Sequence, residues 1–404
     1  MLPRHDTCII YPFDPFGRRT GGAEQFIKGF IKYAPEDINI KFIGISSDIS
    51  KRPAGKWLMA SLAKKEFMFY PVLSVKNEIA KPAVPLSLDF TLRLLLKMPD
   101  VGNGVLLFNR IEPAVIFGNI NLPKMAVIHT DIERHIQKGK SEVLWSKMPF
   151  FYKMLEKYVF KMFSSVYAVN KNTVKYYNEI YARDGKKFIP LNTWADTEYF
   201  RPGDNGREHV KNALSQRSDK LDPSKKWILY AGRLQEVKAP IRIIESFKKY
   251  LNAVPGSVLI IIGEGDMRDE VVRHIKDAGL SDNIFLSGYM DPQELAEFYR
   301  AADVFVLASN FEGMPMCVIE ALACGTPVVT TNVGSVELVV RPGVSGEIVP
   351  TFDAGDIASA LEKVAGNPAV YSQANCTSSV EYYKPEICLG PLYAKIRELD
   401  ARNG

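Results

Sequence analysis

Glu312 and Glu320 flank a Gly-x-Pro turn in the run Ser309-Asn310-Phe311-Glu312-Gly313-Met314-Pro315-Met316-Cys317-Val318-Ile319-Glu320. Pro315 opens a short predicted helix and Gly325 closes it before a strand, as expected from the preference of Pro for the first helical turn and of Gly just past the last. The first turn, Met316 to Val318, presents backbone N–H groups and the positive end of the helix dipole to phosphate or sugar oxygens. Glu312 lies on the approach loop and Glu320 about two turns further on. One acid can hold the hydroxyls of a sugar while the other reaches a neighbouring group. The arrangement suits a hydroxyl-rich, phosphorylated ligand, although a plain loop–helix–strand connector with solvated glutamates would read the same way.

A second pair, this one basic, stands at Ala231-Gly232-Arg233-Leu234-Gln235-Glu236-Val237-Lys238, directly after a predicted strand. Arg offers phosphate a planar fork and Lys a compact point charge, so the two could clamp a diphosphate. Gly263-Glu264-Gly265-Asp266 has the look of a nucleotide loop but reads mainly as a structural turn. Gly21 and Gly22, in Thr20-Gly21-Gly22-Ala23-Glu24, precede a helix whose start could face an anion. His129 ends an apolar strand, where a histidine is more often structural than catalytic. The remaining histidines, His5, His135, His209 and His274, match no motif and are expected at the surface. No Asp-x-Asp pattern occurs to hold a divalent cation on a nucleotide sugar.

Taken together, the Glu312-to-Glu320 run with its following Ala-x-Ala-x-Gly-x-Pro-Val-Val resembles the Glu-x7-Glu signature of family 4 glycosyltransferases. Gly232-Arg233-Leu234 through Lys238 resembles the same family's Gly-Arg-Leu-x-x-x-Lys-Gly motif, with Ala239 where the family has Gly. The resemblance covers most of residues 226–350 and is least evident in the N-terminal half. It implies that Arg233 and Lys238 hold the donor diphosphate, Glu312 the donor-sugar hydroxyls and Glu320 the ribose hydroxyls. Gly313, Met314, Met316, Cys317 and Val318 then complete the donor site through the helix start. Tyr289 and Met290 fall where the family holds the base through backbone groups. Gly21 and Gly22 match its Gly-Gly-x-Glu, and His129 a histidine near the donor sugar. Glu337 also falls on a family position, with Ser335 replacing a usual Gly.

The implied activity is retaining transfer of a sugar from a nucleotide diphosphate sugar, UDP-sugar favoured, to an acceptor hydroxyl. With two cations on the diphosphate, no metal and no cofactor are expected, and activity should survive EDTA. No carboxylate is placed as a nucleophile, which favours front-face displacement with the leaving phosphate taking the acceptor proton. The implied fold class is α/β of the GT-B type: two facing Rossmann-like doubly wound domains, with a C-terminal helix crossing back. Its expected parts are an acceptor domain at 1–195, a nucleotide-sugar domain at 196–380 and a crossover helix at 381–404.

Length and pattern agree with two domains. The 404 residues exceed a usual single domain, and 47% apolar with 24% charged residues is ordinary for a folded chain. Short apolar strands alternate with helical runs in both halves, as parallel α/β sheets require. Strands are predicted at Cys8–Tyr11, Lys41–Ile45, Val105–Phe108, Met125–Ile128 and Val166–Val169, with helical stretches between. A second series follows at Trp227–Ala231, Ser257–Ile262, Ile284–Ser287, Val304–Ala308 and Pro327–Thr331. The turn-rich Arg201–Gly206 reads as the linker between the halves. Five cysteines without C-x-x-C spacing argue against disulfides and zinc, with Cys317 and Cys324 as buried thiols.

Neither a leader nor a membrane-spanning run is visible, so a cytoplasmic location is expected, peripheral on the membrane if anything. Residues 1–190 carry 29 Lys and Arg against 17 Asp and Glu, and the remainder 22 against 29. The basic half suggests an anionic partner. Lysines interleave with aromatics from Lys147 to Phe163, which fits a helix on anionic lipid or a core helix with lysines outward. The lipid view implies a lipid-linked sugar acceptor in polysaccharide or glycolipid assembly. Competing readings are a GDP-mannose-dependent mannosyltransferase, a synthase of the glycogen or sucrose type, a phosphorylase, or a catalytically silent sugar-nucleotide binder. No nucleic-acid-binding motif supports a nucleic acid partner.

Overall fold

In the sheets, strands such as Val105–Phe108 and Ser257–Ile262 are buried on both faces, which explains why they read as continuous apolar runs rather than alternations. The computed structural model describes residues 4–17, 21–75, 85–129, 149–181, 185 and 187–403. The chain divides into two compact units, residues 1–192 with 386–404, and residues 193–385.

The first unit holds β1 (His5–Ile10), β2 (Ile38–Ser46), β3 (Leu58–Leu62), β4 (Lys65–Ser74), β5 (Val105–Phe108), β6 (Lys124–Ile128), β7 (Ser165–Ala168) and β8 (Phe188–Pro190). Among the described residues they form one sheet in the order β3-β4-β2-β1-β5-β6-β7-β8, parallel except for the β3–β4 pair. Strand order reverses beside β1, leaving β1 and β5 as neighbours at a topological switch point, where α/β sheets bind ligands beyond their carboxyl ends. Helix Gly22–Lys32 follows β1 and buries Phe26, Ile27, Phe30 and Ile31. Helix Pro385–Ala401 belongs mainly to this unit. Its Tyr393 hydroxyl donates to the Phe30 carbonyl at 2.7 Å, and Arg397 donates two bonds to Asp37 at 2.6 and 2.9 Å.

Between Ile45 and Val105, where helical stretches were expected, helix Leu86–Leu96 is present, and the β3–β4 hairpin is an addition. Leu62 pairs with Lys65, so Ala63 and Lys64 turn the chain, both at positive φ (48° and 68°). That mirror-image turn suits a right-twisted hairpin and is normally written with Asn or Gly. Ala-Lys hides it.

The second unit holds β9 (Lys226–Ala231), β10 (Ser257–Ile262), β11 (Ile284–Gly288), β12 (Val304–Leu307), β13 (Val328–Thr331) and β14 (Gly346–Val349), in the order β11-β10-β9-β12-β13-β14 and parallel throughout. Its switch point lies between β9 and β12. Helix Pro240–Ala253 buries Ile243, Ile244, Phe247 and Tyr250 on one stripe, the spacing of a helix laid on a sheet. The turn-rich Arg201–Gly206 lies inside this unit rather than between the units. Arg300 donates from Nη1 to the carbonyls of Tyr199 and Arg201, both at 3.0 Å, fastening that segment to helix Pro292–Ala301.

Candidate active site

At the switch point of the second unit, the loop after β9 carries Arg233 and Lys238, and the loop after β12 carries Glu312. Lys238 Nζ donates to Glu312 Oε1 at 2.5 Å, and Ser309 Oγ donates to the same oxygen at 2.7 Å. Glu312 is buried. The backbones are tied as well: Asn310 N donates to the Val237 carbonyl at 2.8 Å, and Thr331 Oγ1 to the Ser309 carbonyl at 2.9 Å. Arg242 Nη1 holds the Ala308 carbonyl at 2.7 Å, setting the end of β12. Arg233 is exposed, its backbone carbonyl held by the buried Tyr230 hydroxyl at 2.9 Å. Among the described residues its guanidinium makes no ion pair, so it remains available to an anion.

Helix Met316–Ala323 starts beside this pair. Among the described residues the amides of Met316 and Cys317 have no main-chain acceptor. Val318 corrects the expectation of three donors there: its N–H is donated to the Pro315 carbonyl at 3.1 Å and its side chain is fully buried. Met314 is buried, and the Gly313 carbonyl accepts from Ser335 N at 3.0 Å. Gly334 stands at φ +61°, where a Cβ would lie 2.1 Å from that same carbonyl. The glycine, not its neighbour Ser335, is what the close approach demands. Glu337 is exposed.

Within this helix, Glu320 Oε2 accepts from the Tyr299 hydroxyl at 3.1 Å. Burial pushes its carboxyl up to about 7, the Tyr299 bond opposing that rise and the nearby Asp196 charge adding to it. As a residue Cys317 is partly exposed and Cys324 is buried; all five cysteines are free, and desolvation of the sulfur, reinforced at Cys317 by the Glu312 charge, raises both thiols well above their ordinary value.

The Gly263 turn packs against the Arg233 loop: a Cβ on Gly263 would sit 1.9 Å from the Gly232 carbonyl. Leu234 N donates to the Glu264 carbonyl at 2.9 Å. Tyr289 and Met290 follow β11 on the same carboxyl edge, Tyr289 being 60% exposed and Met290 part of the core. They are two strands from β9, beyond the Lys238–Glu312 pair.

His129, Gly21 and Gly22 belong to the first unit, at the carboxyl ends of its strands. His129 Nε2 lies 2.8 Å from Asn109 Oδ1, and its ring meets Phe26 edge-on at 4.8 Å. Burial lowers its pKa to about 3, so the imidazole is neutral. A neutral ring that donates from Nε2 keeps Nδ1 as an acceptor. Gly21 caps helix Gly22–Lys32, and a Cβ there would come 2.4 Å from Glu24 Oε2. The buried Glu24 carboxylate thus already faces the helix start that the sequence offered to an external anion. Gly22 is exposed, with nothing within 4 Å of an added Cβ.

Ser309, Tyr299, Asp196 and Asn109 were not singled out in the sequence. Ser309, three residues before Glu312, was the most accessible to inspection. The others reach their partners from different elements. Of the other histidines, His5 is tucked against Asp400 at 3.0 Å and His274 against Glu245 at 2.5 Å, whereas His209 is exposed and His135 lies outside the described residues. Among the described residues no cluster of three His, Cys, Asp or Glu could hold a metal ion.

Residues 212–378 match the family model described as glycosyl transferases group 1. This segment is a group 1 glycosyl transferase domain. It contains Arg233, Lys238, Glu312 and Glu320, and the resemblance to family 4 agrees with it. The chain is 32% identical over 178 residues to a D-inositol 3-phosphate glycosyltransferase of Segniliparus rotundus, covering 43% of this chain and 38% of that protein. It is 32% identical over 203 residues to the same-named protein of Actinosynnema mirum, covering 47% and 46%. The chain therefore spans less than half the length of these relatives in the matched region. Outside the group 1 domain the fold still corresponds. Sucrose-phosphate synthase from Thermosynechococcus elongatus superposes with a TM-score of 0.74 at 17% identity, over 99% of each chain. Anabaena HepE in complex with UDP and glucose gives 0.69 at 13% identity, over 97% of this chain and 99% of that one. The fold is GT-B, with a Rossmann-like sheet in each unit.

Proposed function

We propose that the protein is a retaining glycosyltransferase that moves a sugar from a nucleoside diphosphate sugar to an acceptor hydroxyl without a metal. The observation that carries this reading is the convergence of Lys238, Glu312 and the exposed Arg233 beside the open amides of Met316 and Cys317. Two cations and two backbone donors suit a diphosphate, whose charge grows as the glycosidic bond breaks. Fixed donors of this kind stabilise the transition state more than the ground state. Glu312 accepts from sugar hydroxyls, and Glu320 from the ribose.

In this reading the anomeric carbon–oxygen bond breaks with its electron pair going to the diphosphate. The acceptor oxygen bonds the same face of that carbon, and its proton passes to the leaving phosphate oxygen. His129, neutral and oriented by Asn109, is suited to accept a hydrogen bond from a hydroxyl rather than to transfer a proton. UDP is the favoured nucleotide, in line with the UDP in the HepE complex; GDP-mannose is the alternative donor. The acceptor is a lipid-linked sugar in polysaccharide or glycolipid assembly, and its choice rests with the first unit.

The test is incubation with UDP-, GDP- and ADP-sugars in EDTA, following nucleoside diphosphate release and, with acceptor, the anomeric proton of the product by NMR. Slow release without acceptor and an α-linked product support the reading. No release from any donor indicates a silent binder, and a β-linked product rules out retention.

A further inference from the structure

We infer that one face of the first unit is a docking surface for an anionic lipid bilayer, a property that stands whether or not the transfer reading holds. Helix Pro149–Met162 is two-sided. Tyr152, Glu156, Val159 and Phe160 point inward and are buried. Phe150, Met154 and Tyr158 form one outward row at four-residue spacing, 69%, 57% and 54% exposed, with Phe151 beside them. Lys153, Lys157 and Lys161 make the adjoining row, all exposed. The helix's acidic residue, Glu156, is buried against the Tyr177 hydroxyl at 2.5 Å, so the outward side carries lysines without a carboxylate.

The apolar row is not isolated. The short helical segment Glu112–Phe117 packs against both this helix and helix Leu86–Leu96. The Tyr158 hydroxyl comes close to Gly118, 3.2 Å from the position of an added Cβ, just past that segment. Helix Leu86–Leu96 leaves Leu95 and Leu96 at 65% and 84% exposure, followed by the exposed Lys97. Large apolar side chains left exposed on neighbouring elements and flanked by lysines mark an interaction site rather than ordinary surface.

Charge selects the occupant. Aromatic and aliphatic side chains entering the headgroup boundary, with lysines level with the phosphates, are the arrangement of a helix lying in the membrane plane. The 29-to-17 excess of basic over acidic residues in residues 1–190 acts in the same direction. A second copy meeting this face isologously would bring like-charged lysine rows together. Among the described residues no helix is long and apolar enough to cross a membrane, so the contact proposed is with the surface of the bilayer.

The test uses the full chain in co-sedimentation with phosphatidylcholine vesicles, with and without phosphatidylglycerol, at low salt. Two variants accompany it, Phe150→Ser/Met154→Ser/Tyr158→Ser and Lys153→Gln/Lys157→Gln/Lys161→Gln, each checked for an unchanged thermal midpoint. Wild-type protein should sediment with the anionic vesicles and far less with the neutral ones. The lysine variant should bind about 100-fold more weakly, from roughly 1 kcal/mol per lysine at an anionic surface, and the apolar variant should also lose binding. Equal binding to both vesicle types, no binding to anionic vesicles, or wild-type binding by both variants would overturn the proposal. So would self-association that the serine variant abolishes while vesicle binding persists, which would assign the face to a second copy.

Discussion

Lys238 and Glu312, 74 positions apart in sequence, are joined Nζ to Oε1 at 2.5 Å by loops that leave the adjacent strands β9 and β12. The two residues proposed to take separate tasks, diphosphate for the lysine and sugar hydroxyls for the glutamate, therefore sit side by side. Each holds the other in place before donor arrives. Preorganisation of this kind lowers the reorganisation needed when the leaving diphosphate develops its charge.

Removing the lysine should separate its two roles. Lys238→Met leaves the buried Glu312 with only the Ser309 hydroxyl named above, at a cost of about 1–3 kcal/mol in stability, seen as a lower thermal midpoint. Adding Glu312→Gln should recover most of that midpoint. Neither variant should recover turnover, which falls on the order of 10²–10³ when such a stabilising donor is lost. A Lys238→Met enzyme with wild-type turnover would remove the lysine from the mechanism.

Ala239 occupies the left-handed region, φ 48° and ψ 54°, between the segment Glu236–Lys238 and helix Pro240–Ala253. A Cβ makes that conformation unfavourable by roughly 1–2 kcal/mol, part of which a glycine returns through its greater freedom in the unfolded chain. Ala239→Gly should stabilise the protein by about 1 kcal/mol with turnover unchanged. Thermal unfolding decides it, and a lower midpoint would contradict the backbone argument.

If Glu320 holds the ribose as proposed, donor binding should depend on pH. Its folded pKa of about 7 stands above the ordinary 4.5, so the folded protein holds this proton more tightly than the unfolded chain. The associated stability is complete below the ordinary value and is lost as pH rises through about 7; Glu156, also raised to about 7 by burial, acts in the same sense. In the proposed donor site, ribose hydroxyls would favour the ionised Glu320. Affinity for a nucleotide sugar, whose diphosphate does not titrate in this range, should thus rise about tenfold from pH 6 to pH 8. Calorimetry at both pH values, with Glu320→Gln as the flat control, checks it.

His129 should not titrate near neutrality. Its pKa, lowered to about 3 by burial, keeps the ring neutral throughout the neutral range. Its imidazole NMR signals should stay fixed between about pH 5 and 8, the range in which an ordinary histidine titrates. A midpoint near the ordinary value would contradict the hydrogen-bonding role given to it.

Much of this was legible in the chain because buried parallel strands write themselves as apolar runs. Val105–Phe108 and Ser257–Ile262 were read with the bounds they have in the structure. The motif residues Arg233, Lys238 and Glu312 were legible by type, but their pairing was not, since contacts between loops leave no spacing signal. Asn109, Tyr299 and Asp196 escaped for the same reason. The β3–β4 hairpin escaped because Ala63 and Lys64 take a turn usually made by Asn and Gly. The segment Arg201–Gly206 looks like a linker by composition, yet Arg300 binds it into the second unit. The two compact units divide at 192/193 and 385/386.

The most direct test of the donor site is thermal shift of the full chain with UDP, GDP, ADP and their sugar conjugates, in EDTA, for wild type, Arg233→Ala and Lys238→Ala. Ligand that binds only the folded state raises the midpoint by mass action. The account predicts a selective rise with one nucleotide family, retained in EDTA and lost or much reduced in both variants. No rise with any of them in wild type, or a rise that both variants keep, would contradict it.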